Sequence, residues 1–192
     1  MLSALTTILR CMALLAFAAP MVIRRTADHQ TTRKASGGRI ASRLPFVANV
    51  GAWSLFGVFL IVRSGKTDGV TALLLAAAGT VVAVGGSAVI LWSRANLGEA
   101  WSFIPAAAEQ SGLVITGPYR LVRHPIYLGM SMVAVGQAIA FSSGPAFLVV
   151  LVAVIPSLLW RARVEEDLLT TVFGDRYPHY KRRTCMIIPY VF

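Results

Sequence analysis

The chain has 192 residues, a length that suits one domain. It is 56% hydrophobic and only 14% charged, where a soluble domain carries about a quarter charged residues, so the composition excludes an ordinary water-soluble globule and indicates a polytopic membrane protein. The net charge of +10 would suit a nucleic-acid binder, but its placement gives it another cause, and two isolated cysteines, Cys11 and Cys185, exclude a disulfide framework or a zinc site.

The first apolar run covers residues 2–23 and is interrupted by Arg10. Ala16-Phe17-Ala18-Ala19 resembles a signal-peptide cleavage site. The alternative is a retained membrane helix whose arginine snorkels to an interface or pairs inside the bundle. A basic linker, 24–43, follows with Arg24, Arg25, Arg33, Lys34, Arg39 and Arg43 against one acid, Asp28. The second run is 44–62, with a short turn at 63–69. The third, 70–92, carries Gly79, Gly85 and Gly86. These lack the strand and spacing of a nucleotide loop, so close helix packing is their expected use. Residues 93–124 read as polar and irregular, with Trp92 and Trp101 suited to a membrane–water boundary. The fourth run is 125–141, and Ser142-Ser143-Gly144 makes a turn. The fifth is 145–160, with Pro145 at its start and a kink expected at Pro156. It is short for a span, so it should continue into the tail, where Leu168, Leu169, Val172 and Phe173 repeat at helical spacing before a stop at Gly174.

Topology follows from the basic residues. With five spans, the linker, the segment 93–125 and the tail share one side and hold fifteen Lys and Arg, against Arg63 and Lys66 on the other. The rich side is expected to be cytoplasmic and the N-terminus outside, in the inner membrane if the source is prokaryotic. Cleavage near residue 19 would put the basic linker outside, so the first helix is expected to stay. The same count explains the net charge without nucleic acid.

The stretch 113–129, LVITGPYRLVRHPIYLG, joins two apolar runs and concentrates the polar chemistry. Pro125 disfavours helix at His124 and suits the first position of the helix that follows. The free N–H groups of that first turn, with the dipole behind them, form a site for an anion; a tight basic turn between helices is the plainer reading. Farther on, Arg161 and Glu165 stand four apart on one helix face where a membrane helix exits, either a surface ion pair or a boundary charge with a function.

Together, GLVITGPYRLVRHPIYLG (112–129) and RARVEEDLLTTVFGDRYPHYKRRTCMIIP (161–189) resemble the isoprenylcysteine carboxyl methyltransferase family, whose wider group includes phospholipid methyltransferases and small prokaryotic relatives. The resemblance covers the C-terminal half. The apolar runs give an all-α fold of five membrane helices, and the resemblance implies S-adenosyl-L-methionine held in the cytoplasmic segments 93–124 and 161–192. The residues it implies for that pocket are Ser111, Gly112, Leu113, Val114, Tyr119, His124, Pro125, Ile126 and Tyr127, with Glu165 as the acidic cofactor contact and Glu166 completing the paired acids. Arg161 matches an arginine that handles the substrate carboxylate, and a further cofactor contact falls near Ile104. No metal is implied.

Elementary chemistry fits these roles. Glu165 or Glu166 offsets the cationic part of the donor, the helix start at Pro125 with Arg123 or His124 receives its carboxylate, and Tyr119 and Tyr127 flank the adenine or the sulfonium. An acceptor carboxylate, with a reference pKa of about 4, is already ionised and needs no base; an amine would need one. This favours O-methylation, and the resemblance implies a lipidic or prenylated acceptor in the membrane lipid. Two other readings stay open: an NADPH-dependent sterol-reductase-like enzyme, which shares an Arg-His-Pro-x-Tyr segment, and a non-catalytic transporter or scaffold.

Overall fold

The computed structural model describes residues 1–22, 43–62, 67–98 and 112–187. Among them every long element is a helix, and extended pairing is confined to an isolated parallel bridge between Val122 and Cys185. Helix α1 is Leu2–Val22, α2 Arg43–Val62 and α3 Gly69–Leu97. A 3-10 turn at Gly117–Arg120 precedes α4, Pro125–Ala140. Helix α5 is Gly144–Phe173, and the short α6 is Arg176–Lys181. Three segments, Leu44–Val62, Gly69–Leu97 and Gly144–Phe173, are long and apolar enough to cross a bilayer; Leu2–Ala16 and Pro125–Ala140 are shorter apolar helices. The protein is an all-α polytopic membrane protein. Most of the basic linker (24–42), Arg63, Lys66, Trp101, Ile104 and Ser111 lie outside the described residues.

Local chemistry sets the helix ends. The Ser143 hydroxyl accepts the Ala146 N–H at the start of α5, with Pro145 just inside. Gly98 and Gly174, both at φ 54°, close α3 and α5 by donating to the carbonyls of Arg94 and Thr170. Helix α3 runs five residues beyond the expected end at 92. The reason is local: Ser93 and Asn96 turn their side chains back onto the carbonyls of Val89 and Trp92, so polar residues continue the helix up to Gly98. The kink expected at Pro156 takes the form of a π-helical turn, Val150–Val154. Wider winding there accommodates a residue that has no N–H and whose ring crowds the preceding turn. Helix α5 then continues past Trp160 to Phe173, so residues 161–173 extend the fifth helix, and α6 alone folds back.

Helices α3 and α4 meet backbone to backbone. A Cβ on Gly86 would lie 2.6 Å from the Gly129 carbonyl, and one on Gly136 would lie 2.5 Å from the Ala83 nitrogen. A Cβ on Gly79 would overlap the Ala140 and Gly136 backbone. The obstacles are main-chain atoms, so any larger residue would force the helices apart. Gly85 lies at the edge of this contact, against Met132.

Polar side chains fasten α1. Thr80 donates to the Leu9 carbonyl, Ser87 to that of Ala16, and Gln137 to that of Ala13 at 3.1 Å. Arg10 donates to the Ala140 carbonyl at 3.0 Å and lies over Phe141, so it pairs inside the bundle at the C-terminal end of α4, where the dipole favours a cation. Helix α2 is clamped to α5 by Asn49 and Ser157 at 3.1 Å, above a core of Phe56, Leu60, Val150, Val154 and Leu158.

Candidate active site

The chain returns on itself to build one polar layer. His124, ahead of Pro125, is extended (φ −122°, ψ 62°) as a residue before proline should be. Its N–H donates to the Met186 carbonyl at 3.0 Å, and that of Arg123 to Cys185 at 2.8 Å. Residues 121–124 are thus paired with 185–186, and α6 between them lies against α5. Upstream, Gly117 adopts φ 59°, and the Asn96 amide fills the space its Cβ would take, seating the turn on the end of α3. The Tyr180 hydroxyl donates to the Tyr119 carbonyl at 2.6 Å. Burial pushes the Tyr180 phenol up to about 12 and raises those of Tyr119 and Tyr177 further, so all three stay neutral near neutral pH.

Glu166 is the centre of this return. Its side chain is 4% exposed, with Arg123 Nε and Lys181 Nζ each at 2.6 Å and His124 Nε2 at 3.5 Å. Arg123 spends further donors on the carbonyls of Lys181, at 3.0 Å, and Thr184. A buried carboxylate with two hydrogen-bonded cations is compensated, and it joins α5, α6 and the 121–124 segment.

Glu165 faces elsewhere. Its Oε1 accepts from the Tyr127 hydroxyl at 2.5 Å and from Arg161 Nε at 3.1 Å. Arg161 Nε also donates to the Tyr127 oxygen at 2.8 Å, which closes a three-residue ring of contacts. Glu165 Oε2 lies 3.9 Å from His124 Nδ1, and the side chain remains 22% exposed. The His124 and Tyr127 rings stack at 5.5 Å and 10°. The Arg161 guanidinium lies 5.5 Å over the Phe46 ring of α2. Among the described residues, its terminal nitrogens and Glu165 Oε2 hold no hydrogen bond.

The structure therefore gathers Arg123, His124, Tyr127, Arg161, Glu165 and Glu166, six of the residues singled out in the sequence. Tyr119 is buried close enough for the Glu165 charge to bear on its phenol. Pro125 is fully buried and Ile126 half-buried in the first turn of α4. Gly112, Leu113 and Val114 form an irregular run leading to the 3-10 turn, with no described bond to the carboxylates. Ser111 lies outside the described residues. Two expectations change. Arg123, expected to receive an anion, is committed to Glu166 and two carbonyls. The Tyr127 N–H of the first turn of α4 is closed on the His124 carbonyl at 3.1 Å, so fewer donors there face outward. Sequence reasoning missed Lys181, Tyr180 and Phe46. Lys181 and Tyr180 sit in a run, Tyr-Pro-His-Tyr-Lys, whose aromatic spacing hinted at a buried face, but nothing in the apolar second run distinguishes Phe46.

The phospholipid methyltransferase family profile matches residues 74–176, more than half of the chain. The chain belongs to the phospholipid methyltransferase family. It is 35% identical over 101 residues to a protein-S-isoprenylcysteine O-methyltransferase of Saccharomyces cerevisiae, covering 49% of this chain and 40% of that protein. It is 42% identical over 72 residues to methanethiol S-methyltransferase 1 of Bradyrhizobium diazoefficiens, covering 38% and 24%. It is 32% identical over 83 residues to protein-S-isoprenylcysteine O-methyltransferase A of Arabidopsis thaliana, covering 43% and 42%. The matches thus span between about a quarter and two fifths of these relatives' own length. For this family member, α1, α2 and Lys181 fall outside the profile match, whereas the Tyr127, Arg161, Glu165 and Glu166 cluster falls within it.

Proposed function

We propose that the protein is an S-adenosylmethionine-dependent methyltransferase that methylates a carboxylate oxygen on a lipidic or prenylated acceptor. The observation that carries this reading is the Tyr127–Glu165–Arg161 ring of contacts beside the stacked His124, in which a carboxylate with a spare oxygen adjoins a guanidinium with spare donors. That donor set suits a cation-bearing cofactor and an anionic acceptor side by side. When bound, S-adenosylmethionine supplies an electrophilic methyl group on a sulfonium. Glu165 Oε2 would hold its amino group, and the His124–Tyr127 stack would flank the sulfonium or the adenine. Tyr119, Pro125 and Ile126, with the run from Ser111 through Gly112 and Leu113 to Val114, would line the remainder. Glu166 and Arg123 hold this wall in place and do not touch the reacting atoms.

Arg161 would orient the acceptor carboxylate through its terminal nitrogens. The acceptor is ionised near neutral pH, with a reference pKa of about 4, so no residue has to remove a proton. Alignment toward the methyl group and exclusion of water are what the site supplies. Among the described residues, the site's end of the bundle carries most of the Lys and Arg, which supports a cytoplasmic active site with the N-terminus outside, in the inner membrane if the source is prokaryotic. Family membership and the named methyltransferases among the relatives support this reading over a reductase or a transporter. A thiol acceptor is the second reading, favoured by the likeness to the methanethiol enzyme.

Calorimetric titration of the purified protein with S-adenosylhomocysteine tests the core claim: binding is expected, and no heat at millimolar ligand overturns it. Transfer of a labelled methyl group then separates the two acceptors. An ester product releases methanol in mild alkali, whereas a thioether product does not.

A further inference from the structure

We propose that the face shared by Arg120, Leu121, Arg182 and Arg183 docks on the phosphates of an anionic lipid leaflet, and that a bound headgroup holds together the two segments that frame His124. The proposal stands apart from the reaction catalysed. It begins with the way the chain returns. Val122 and Cys185 bridge in parallel, and the Cys185 N–H donates to the Leu121 carbonyl at 3.3 Å. That register sets Arg120 and Leu121 beside Arg182 and Arg183, which follow the last turn of α6. All four are exposed, while Val122, Thr184 and Cys185 behind them are buried. Among the described residues, Arg120, Arg182 and Arg183 have no acidic partner, whereas Lys181 is held by Glu166 at 2.6 Å. Two carbonyls that could offset these charges at the end of α6, those of Lys181 and Thr184, already accept from Arg123. Three guanidiniums gathered without a counter-charge repel one another, and phosphate is the anion whose oxygens suit their donors.

Depth selects a lipid over a dissolved acid. Helices α3 and α4 run antiparallel, with Gly79 against Gly136, Gly86 against Gly129 and, just before α4, Asn96 against Gly117. Trp92 stands between Gly86 and Asn96, so it lies level with residues 121–124. Its side chain is exposed, as is that of Trp160, which adjoins the Arg161 that reaches Tyr127. Exposed tryptophans on two helices at this one level mark where hydrocarbon meets headgroups. Arg120 and Leu121 therefore fall in a headgroup layer about 5–7 Å deep. Leu121 is 58% exposed among arginines, the composition of a surface that lies at the acyl boundary. Phosphates crowd that layer, and an anionic lipid presents its phosphate without an ammonium of its own. The consequence reaches the site. Arg120 leads into His124, and Arg183 leads into the carbonyls of Cys185 and Met186 that receive the Arg123 and His124 N–H groups. A phosphate between the two arginines adds a tie across that pairing.

The test compares the full chain in nanodiscs of phosphatidylcholine alone and of an equal mixture with phosphatidylglycerol. Lipid retained by the released protein is counted by native mass spectrometry, and backbone amide exchange is followed in the discs. The wild type should retain phosphatidylglycerol in preference to phosphatidylcholine. Arg120→Gln, Arg182→Gln and Arg183→Gln should each reduce that preference by about fivefold. Arg176→Gln removes the same charge at the far end of α6 and should leave the preference intact. In the wild type, the amides of Arg123, His124 and Cys185 should exchange about fivefold more slowly in the mixed discs than in phosphatidylcholine. An equal loss in Arg176→Gln shows a diffuse attraction with no site and overturns the proposal. Identical wild-type exchange in the two lipids overturns the tie across the pairing without recourse to any variant. Soluble polyglutamate is the remaining arm. If it binds with the same dependence on Arg120, Arg182 and Arg183 while the two lipids are retained equally, the face belongs to a dissolved acidic partner and the lipid assignment falls.

Discussion

Glu165 and Glu166 are neighbours on one helix in very different surroundings. Glu166 is buried between Arg123 and Lys181, each at 2.6 Å, and every contact ties one piece of the chain to another. Glu165 keeps about a fifth of its side chain open and shares one oxygen with Tyr127 and Arg161, leaving the other without a hydrogen bond among the described residues. Successive residues on a helix point about 100° apart, which is enough to turn one carboxylate toward the returning tail and the other toward α4. The lesson is a division of labour: the enclosed acid is spent on joining pieces of the chain, and the open acid keeps one oxygen uncommitted among the described residues.

The comparison breaks most readily at its buried side. Glu166→Ala leaves the mostly buried Arg123 without its carboxylate and should cost about 3 kcal/mol of stability, read as an earlier thermal unfolding midpoint in detergent. An unchanged midpoint would show that the latch is not structural. On the open side, Arg161→Ala should lower kcat/KM by roughly a hundredfold through a misaligned acceptor while the midpoint barely moves. Full turnover would remove the arginine from the site. Tyr127→Phe deletes the hydroxyl shared by Glu165 and Arg161 and should weaken S-adenosylhomocysteine binding by about tenfold, a cost typical of a hydrogen bond to a charged group.

The smallest effect belongs to Tyr180. Its phenol is raised from 10.0 to about 12, chiefly by burial, and it donates to Tyr119 only while protonated. The folded pKa exceeds the unfolded one, so its contribution is complete below pH 10 and lost as pH climbs toward 12. Tyr180→Phe should cost about 1 kcal/mol at neutral pH and flatten that alkaline decline, followed by circular dichroism against the tyrosinate absorbance.

Much of the architecture was legible because bilayer physics leaves few choices. Long apolar runs must be helices, since lipid offers the backbone no partner. Pro125, Pro145 and Gly174 marked helix boundaries by their own stereochemistry. The glycines of α3 were legible as packing residues, though Gly85 proved peripheral. The end of α3 was not, and the form of the distortion at Pro156 was not. Helix α3 outlasts its apolar run because Ser93 and Asn96 satisfy themselves locally, and α5 absorbs Pro156 by rewinding.

At the site, the sequence by itself determined which polar residues come together, because ionisable groups at a membrane boundary are few and their spacing on a helix is rigid. Arg161 and Glu165 had to share a face. Only the tertiary structure decided how the two acids differ, that Arg123 is spent within the protein, and that Lys181 and Phe46 join from opposite ends of the chain. Those assignments depend on which surfaces exclude water and which donors already have partners. Both are properties of the packed layers that no local pattern encodes.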